Sequence, residues 1–449
     1  MPRAIDTSSR HCFTLILVLG PGLALGACDT DTAPTAGGAG GGGAGNTGVA
    51  GFAGEVSGEA GAPPGGEGGS GGIGPTLPPR VCPDTPQDTR ARLLRVPDIL
   101  PPDVIGSRAM AVSADGNTVV GAVSRMAESP TAFPETYQAY RWSPNGGLTL
   151  LETPAGWQSH ALAVSADGSV IVGDVYSVPG RVQAARWTAG GLEILPTLEG
   201  TDSAVAKAVS ADGMTIGGTC YPPGAAASIV TLWTPTDTQT LTSPPTSVDF
   251  ITGTGFHDLD DAAANAVGGR VEVGNAVVWR ELGAPEDLLV AGASNTTAYG
   301  LAGDGSLIVG SASIGGNIEP YRWNTSDLQP EPLGFPPGSR EVNGSALASD
   351  RGGDVVVGVV GYINEGDAVI WDRSRGARFL ADILTEAGED LYVWHLKRAS
   401  GVSADGRVVA GDADCGRWRR AFYARLPAPD AADAGTGGAD AGVDASIAP

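Results

Sequence analysis

Short apolar runs alternate along the chain with small polar corners, and the alternation repeats over a long period. The clearest unit is "ALAVSADGSVIVG" at 161–173. It recurs as "AMAVSADGNTVVG" (109–121), "AKAVSADGMTIGG" (206–218), "AYGLAGDGSLIVG" (298–310) and "ASGVSADGRVVAG" (399–411). A worn copy, "SALASDRGGDVVVG" (345–358), reads as carrying two extra residues, and a seventh survives faintly in "LDDAAANAVGGR" (259–270). Each unit predicts a short apolar strand, a Ser-x-Asp-Gly corner and a β-branched strand. Asp-Gly between two such runs signals a tight hairpin in which both central residues take positive φ, and the serine hydroxyl can cap a turn amide.

A third strand follows each unit and ends in tryptophan, at Trp142, Trp187, Trp233, Trp279, Trp323 and Trp371. The intervals of 45, 46, 46, 44 and 48 residues set the period. After the tryptophan come a turn such as "SPNGG" (143–147) and a fourth strand such as "LTLL" (148–151). Four short strands per period predict an all-β fold, a β-propeller in which each blade covers its neighbour. The ring should close on itself. "RLLRV" (92–96) precedes the first unit as an orphan strand, and the last unit stops at "AFYARLP" (421–427) one strand short. Seven units and one leftover strand predict seven blades, or six if the worn fourth copy is not a blade. The Asp-Gly corners and strand tryptophans are then scaffold, and a lone acid on a tight turn offers too few oxygens for calcium.

The repeat resembles the extracellular HAF family, called after a His-Ala-Phe triplet in the third strand. The resemblance covers about residues 92–427 and rests on "AVSADGxxVVG", the "AYRW" strand (139–142) and "GVSADGRVVAGDADCGRWRRAFYARLP" (401–427). The triplet positions here read "QAY" (138–140), "QAA" (183–185), "NAV" (275–277) and "EPY" (319–321), without the histidine. The resemblance implies an exported propeller and no particular activity.

The N-terminus carries the address. Residues 11–27 form a short apolar run after Arg3 and Arg10, the pattern of a secretory signal. It ends in "LGAC" (25–28), which resembles the lipobox of bacterial lipoproteins. That resemblance implies cleavage before Cys28, acylation of its thiol and amino terminus (palmitate among the acyl groups), and a membrane held through that lipid. Four segments follow: a signal peptide at 1–27, a Gly-rich disordered linker at 28–80, the propeller at 81–427, and a disordered Ala/Asp/Gly tail at 428–449. About fifty linker residues would span roughly 40 Å. The expected location is the cell envelope, at the outer membrane or cell surface.

The chain carries a formal charge of −23 with 27 basic residues among 449, and only two of these are lysines, Lys207 and Lys397. Such a balance argues against nucleic-acid binding. Metal-site spacings, a His-Glu-x-x-His helix and a phosphate loop are all missing from the sequence. No cofactor or metal is expected, and the enzyme reading is left to a two-carboxylate glycan hydrolase. The favoured role is a binding or scaffold module for a polysaccharide or a surface protein. Three tryptophans fall outside the repeat position, and all three map to the loop end opposite the Asp-Gly corners, on blades seven, one and two. With their neighbours they make the candidate ligand set: Trp157, His160, Trp394, His395, Arg417 and Trp418. Cys220 and Cys415 are expected in loops nearly across the ring, which leaves Cys82 as the disulfide partner for Cys415.

Overall fold

Each period folds as the alternation demands, into a four-stranded antiparallel sheet, and seven such sheets form a ring. The computed structural model describes residues 93–96, 104–126, 135–177, 180–223, 228–235, 238–240, 254–270, 274–363, 366–391, 394–415 and 418–427. The segments expected as signal peptide, linker and tail, together with Cys28, Cys82 and Arg417, lie outside the described residues.

Strand β1 (Leu93–Val96) comes first. Blade 1 holds β2 (Val104–Val112), β3 (Val119–Met126), β4 (Glu135–Ser143) and β5 (Gly147–Leu150); blade 2 holds β6 (Gln158–Val164), β7 (Ile171–Tyr176), β8 (Val182–Thr188) and β9 (Gly191–Ile194). Blade 3 comprises β10 (Ser203–Val209), β11 (Ile216–Tyr221), β12 (Ile229–Trp233) and β13 (Thr238–Thr240). In blade 4 stand β14 (Thr254–Leu259), β15 (Ala266–Arg270), β16 (Ala276–Trp279) and β17 (Pro285–Leu288). Blade 5 is built from β18 (Ala293–Leu301), β19 (Leu307–Ile314), β20 (Asn317–Asn324) and β21 (Pro330–Pro332). Blade 6 has β22 (Gly344–Ser349), β23 (Val355–Val360), β24 (Asp367–Asp372) and β25 (Gly376–Phe379), followed by the helix α1 (Leu380–Glu386). Blade 7 takes β26 (Trp394–Val402), β27 (Val408–Cys415) and β28 (Trp418–Arg425), and β1 is its fourth strand.

The closure matches the expectation. β1 pairs antiparallel with β28 in the register Leu93↔Ala424 to Val96↔Ala421, so residues from opposite ends of the chain complete one sheet. The faint fourth copy is a full blade, which fixes the count at seven. The sixth copy has no insertion after all. Asp350 occupies the serine position and its Oδ1 accepts the N–H of Val355 at 3.0 Å, while Gly353 takes φ +75°. Asp260 stands in for serine in blade 4 in the same way, accepting the N–H of Ala264 at 2.7 Å.

The corners themselves differ from the expected hairpin. One residue per corner adopts positive φ, the glycine at Gly116 (+71°), Gly168 (+74°), Gly213 (+72°) and Gly406 (+69°) and Ala263 (+53°) in blade 4, and the aspartates do not. The serine carries the turn. Ser113 Oγ donates to Asp115 Oδ1 (2.6 Å) and accepts the N–H of Thr118 (2.9 Å), while Asp115 Oδ1 accepts the N–H of Asn117 (2.9 Å). The same set recurs at Ser165, Ser210 and Ser403. Serine and aspartate therefore satisfy one another and the loop amides.

The corners also join blade to blade. The N–H of Asp115 donates to Ala166 O (3.4 Å), Ala166 to Ala211 O (3.1 Å), Ala211 to Asp261 O (3.0 Å) and Asp261 to Gly303 O (3.0 Å). Asp304 then donates to Arg351 O (2.9 Å), Arg351 to Ala404 O (3.3 Å), and Ala404 to Ala114 O (2.9 Å). Seven backbone hydrogen bonds thus form a closed belt around the axis. Above the belt the strand tryptophans fill the seams between blades. All six are 0–3% exposed, and Trp142 of blade 1 meets Tyr423 of blade 7 with ring centroids 5.3 Å apart.

Corner glycines pack against the blade before them. A Cβ on Gly213 would lie 2.5 Å from Val170 Cγ2, on a backbone that alanine adopts poorly. Gly213→Ala should lower unfolding stability by about 1–3 kcal/mol. Gly200, at φ +80° with nothing within 4 Å of its missing Cβ, is the control, and Gly200→Ala should cost about 1 kcal/mol or less. Urea melts of the two variants test the difference, and equal losses would remove the packing argument.

Candidate functional site

The first strand of every blade stands next to the axis and touches the first strands of both neighbours. Each of these strands has a bulge just before its corner, where one residue has no partner in the register. The bulged residues are Met110, Leu162, Lys207, His257, Tyr299, Leu347 and Ser400. The residue before each one is fully buried against a blade, whereas these seven are all half-buried, the exposure of a channel wall. Ser400 and His257 reach across to the next blade. Ser400 Oγ donates to Ala109 O (2.6 Å), His257 Nδ1 bonds to Ala298 O, and the His257 and Tyr299 rings stack with centroids 6.3 Å apart.

This wall is apolar on one arc and titratable on the other. Burial pushes the Lys207 amine down to about 8, with the Asp174 charge working in the opposite direction. His257 is pushed down to about 4, first by burial and then by Lys207. Beside it Asp258 is raised to about 7 by burial, although its Oδ2 accepts the N–H of Leu301 at 2.9 Å.

One layer closer to the loop end, the first strands carry Arg108, His160, Val205, Gly255, Thr297, Ser345 and Arg398 in order around the ring. Charge is confined to blades seven, one and two. There, an aspartate follows the repeat glycine in the second strand twice, as Asp174 and Asp412. Arg398 Nη2 donates to Asp412 Oδ2 at 2.7 Å, with side chains 4% and 1% exposed. Asp412 Oδ1 accepts the N–H of Ala109 in the next blade at 3.1 Å. His160 Nδ1 lies 3.1 Å from Asp174 Oδ1, so the ring donates there and its Nε2 is left without a partner. The imidazole is held between Tyr137 of blade 1 (centroids 5.2 Å) and Tyr176 (5.4 Å). Gln158 Oε1 accepts both the N–H of Tyr137 (2.9 Å) and the hydroxyl of Tyr176 (3.1 Å), which fixes both rings in place.

Arg108 is the exception in this polar layer. It is half-buried and makes no side-chain hydrogen bond or ion pair, and burial lowers its proton affinity from the ordinary arginine value. After burial, the strongest influence on the Arg108 guanidinium is the attraction of Asp412, whose carboxylate is already bonded to Arg398, while Arg398 and Arg419 both repel it. Tyr137 acts on Arg108 and also contacts the His160 ring, so Arg108, Tyr137 and His160 line one wall. Chemically, this wall offers a guanidinium with no hydrogen-bond partner among the described residues, a free imidazole nitrogen and an aromatic face. Such groups hold an anion with apolar faces.

The residues expected from the sequence are distributed differently. His160 belongs to this wall. Trp157 packs into the seam between blades 1 and 2, near Val120 and Trp187, and Trp394 packs against Leu380 and Leu384 of α1. His395 turns outward, where its Nε2 meets Asp367 Oδ1 at 2.5 Å. Trp418 begins β28 next to Cys415 by register, and Arg417 lies outside the described residues. Cys220 and Cys415 stand in the second strands of their blades and are not in loops. Cys220 is a free buried thiol and Cys415 is disulfide-bonded, while its expected partner Cys82 lies outside the described residues. Arg108, Asp174, Lys207, Arg398 and Asp412 were not anticipated. The signal for them was present: aligned on the repeat, "IVGD" (171–174) and "VAGD" (409–412) place aspartate where the other copies have small or apolar residues.

No family model matches the chain, and no curated protein matches it. Solved structures do match. An oligogalacturonate lyase from Vibrio parahaemolyticus is 13% identical, with a TM-score of 0.50 over 76% of this chain and 95% of that one. TolB from Acinetobacter baumannii is 16% identical with a TM-score of 0.40, covering 59% of this chain and 63% of that one. The propeller domain of the trilobed protease from Pyrococcus furiosus is 9% identical with a TM-score of 0.46, over 73% and 97%. These likenesses concern the fold alone.

Asp258 gives the site region a pH signature. Its folded value of about 7 exceeds the unfolded value near 3.9, so the native chain holds this proton longer than the unfolded one. Stability from this group is therefore lost as pH rises through the window between those values. Asp258→Asn should gain stability over the parent as pH rises from 5 to 8. Thermal melts across that range test it, and parallel curves would contradict it.

Proposed function

We propose that the protein is an exported, lipid-anchored propeller that works as a binding module at the cell envelope, and that its ligand is a carboxylate-bearing glycan held at the loop end of the channel. The observation that carries this reading is the unpaired Arg108 guanidinium, half-buried beside Tyr137 and His160. A partly desolvated cation whose attracting carboxylate, Asp412, is already bonded to Arg398 is costly to keep. In a chain of net charge −23 it is best explained by an anion that arrives from outside.

A uronic-acid residue suits the wall. Its carboxylate matches the guanidinium fork, and its ring has an apolar face for Tyr137. His160 Nε2, with Nδ1 donating to Asp174, can accept a sugar hydroxyl. Lipid attachment at Cys28 follows from the lipobox resemblance, and the Gly-rich linker would hold the ring away from the membrane.

Calorimetric titration of the protein with uronic-acid oligomers and with neutral oligosaccharides of equal length tests the reading. Only the acidic oligomers should bind, more weakly as salt rises. Arg108→Gln should weaken binding about 10- to 100-fold, the value of a charge-assisted contact. Equal binding of both oligomer classes, or an unchanged affinity in Arg108→Gln, would refute it. In cells, Cys28→Ser should move the protein from the detergent-extracted to the soluble fraction.

A further inference from the structure

We propose that Lys207 is a covalent capture site for small aldehydes, its Nζ forming an imine with a hydroxyaldehyde that enters the central channel. The bulge in β10 places Lys207 on the channel wall, half-buried. Its amine makes no hydrogen bond and no ion pair. Asp174 from blade 2 and His257 from blade 4 are the titratable groups that act on it. Asp174 Oδ1 is already taken by His160, and its buried Oδ2 has no partner, so the carboxylate does not close on the amine. An amine left free on a dry wall is an available nucleophile. Burial lowers its proton affinity, which leaves a sizeable neutral fraction near pH 7–8.

The step balances without an oxidant or reductant. The nitrogen lone pair attacks the aldehyde carbon, the C–N bond forms, and the carbonyl π-pair moves to oxygen, which takes a proton. The carbinolamine then loses water: its C–O bond breaks, the hydroxyl leaves with the second nitrogen proton, and a C=N bond remains. The hydroxyl groups of a hydroxyaldehyde meet a polar arc, since His257 follows Lys207 in the ring of bulged positions and Tyr299 stacks on it. Leu162, the bulged residue of the preceding blade, gives Lys207 an apolar neighbour on its other side.

The chain supplies its own control, because the only other lysine, Lys397, has its amine 3.8 Å from Asp414 Oδ2. The intact protein is incubated at pH 7 with glycolaldehyde and cyanoborohydride, and modification at each lysine is followed by peptide mass spectrometry. Lys207 should be modified about tenfold faster than Lys397, because burial lowers the proton affinity of its unpaired amine. In guanidinium chloride the two rates should converge, because the selectivity belongs to the fold. Equal rates in the native protein, faster reaction at Lys397, or selectivity that persists after unfolding would overturn the assignment.

Discussion

The belt of seven backbone hydrogen bonds at the Ser-x-Asp-Gly corners is the constraint on which the ring depends. A hairpin corner normally leaves its amides to solvent, and here one N–H of each corner is spent on the carbonyl of the next blade. For that approach the corner must be tight and the chain at the contact must be small. Alanine or glycine occupies the position in five of seven blades, at Ala114, Ala166, Ala211, Gly303 and Ala404. The serine and aspartate of the motif hold the corner in shape, and the glycine allows the neighbouring side chain to press against it. Net values of about 1 kcal/mol per bond are modest. Geometry matters more, because seven equal links fix the spacing of the blades, and the tryptophan seams and the β1–β28 pairing both require that spacing.

A symmetric ring would have no site. The candidate site arises where the repeat breaks its own pattern, and the breaks cluster on blades seven, one and two. Asp412 lies between Arg398 of its own blade and Arg108 of the next, and Asp174 lies between His160 and Lys207 in the same relation. The first arrangement is closed by a buried ion pair, and removing one partner of such a pair costs roughly 3–5 kcal/mol. The second is open, with a free imidazole nitrogen, a free amine and a free carboxylate oxygen. One repeat position thus builds structure in one blade and leaves unpaired groups in another.

Much of the fold was legible because a propeller repeats its instructions. The 45-residue period, the tryptophan strands and the orphan strand at 92–96 were enough for the blades and the closure. The corner conformation differs from the expectation because Asp-Gly suggests a two-residue turn, whereas the serine caps a longer loop in which one position, usually the glycine, takes positive φ. Copies four and six looked eroded for a related reason: Asp260 and Asp350 do the work of serine with a different side chain. The site was harder to read. A strand bulge decides which side chains face the channel, and no local pattern announces one, so Lys207 and His257 read as ordinary strand residues. Trp157 and Trp394 drew attention by residue type, and large aromatics at strand ends pack beneath their own loops.

Amide hydrogen exchange resolved to single residues tests the belt most directly. The amides of Asp115, Ala166, Ala211, Asp261, Asp304, Arg351 and Ala404 sit in short corners, where exchange is ordinarily fast. If the belt holds the ring, these seven should exchange only on global opening, as slowly as the amides of the inner strands. Exchange at the rate of open loops, with the inner strands still protected, would show that the blades hold together without it.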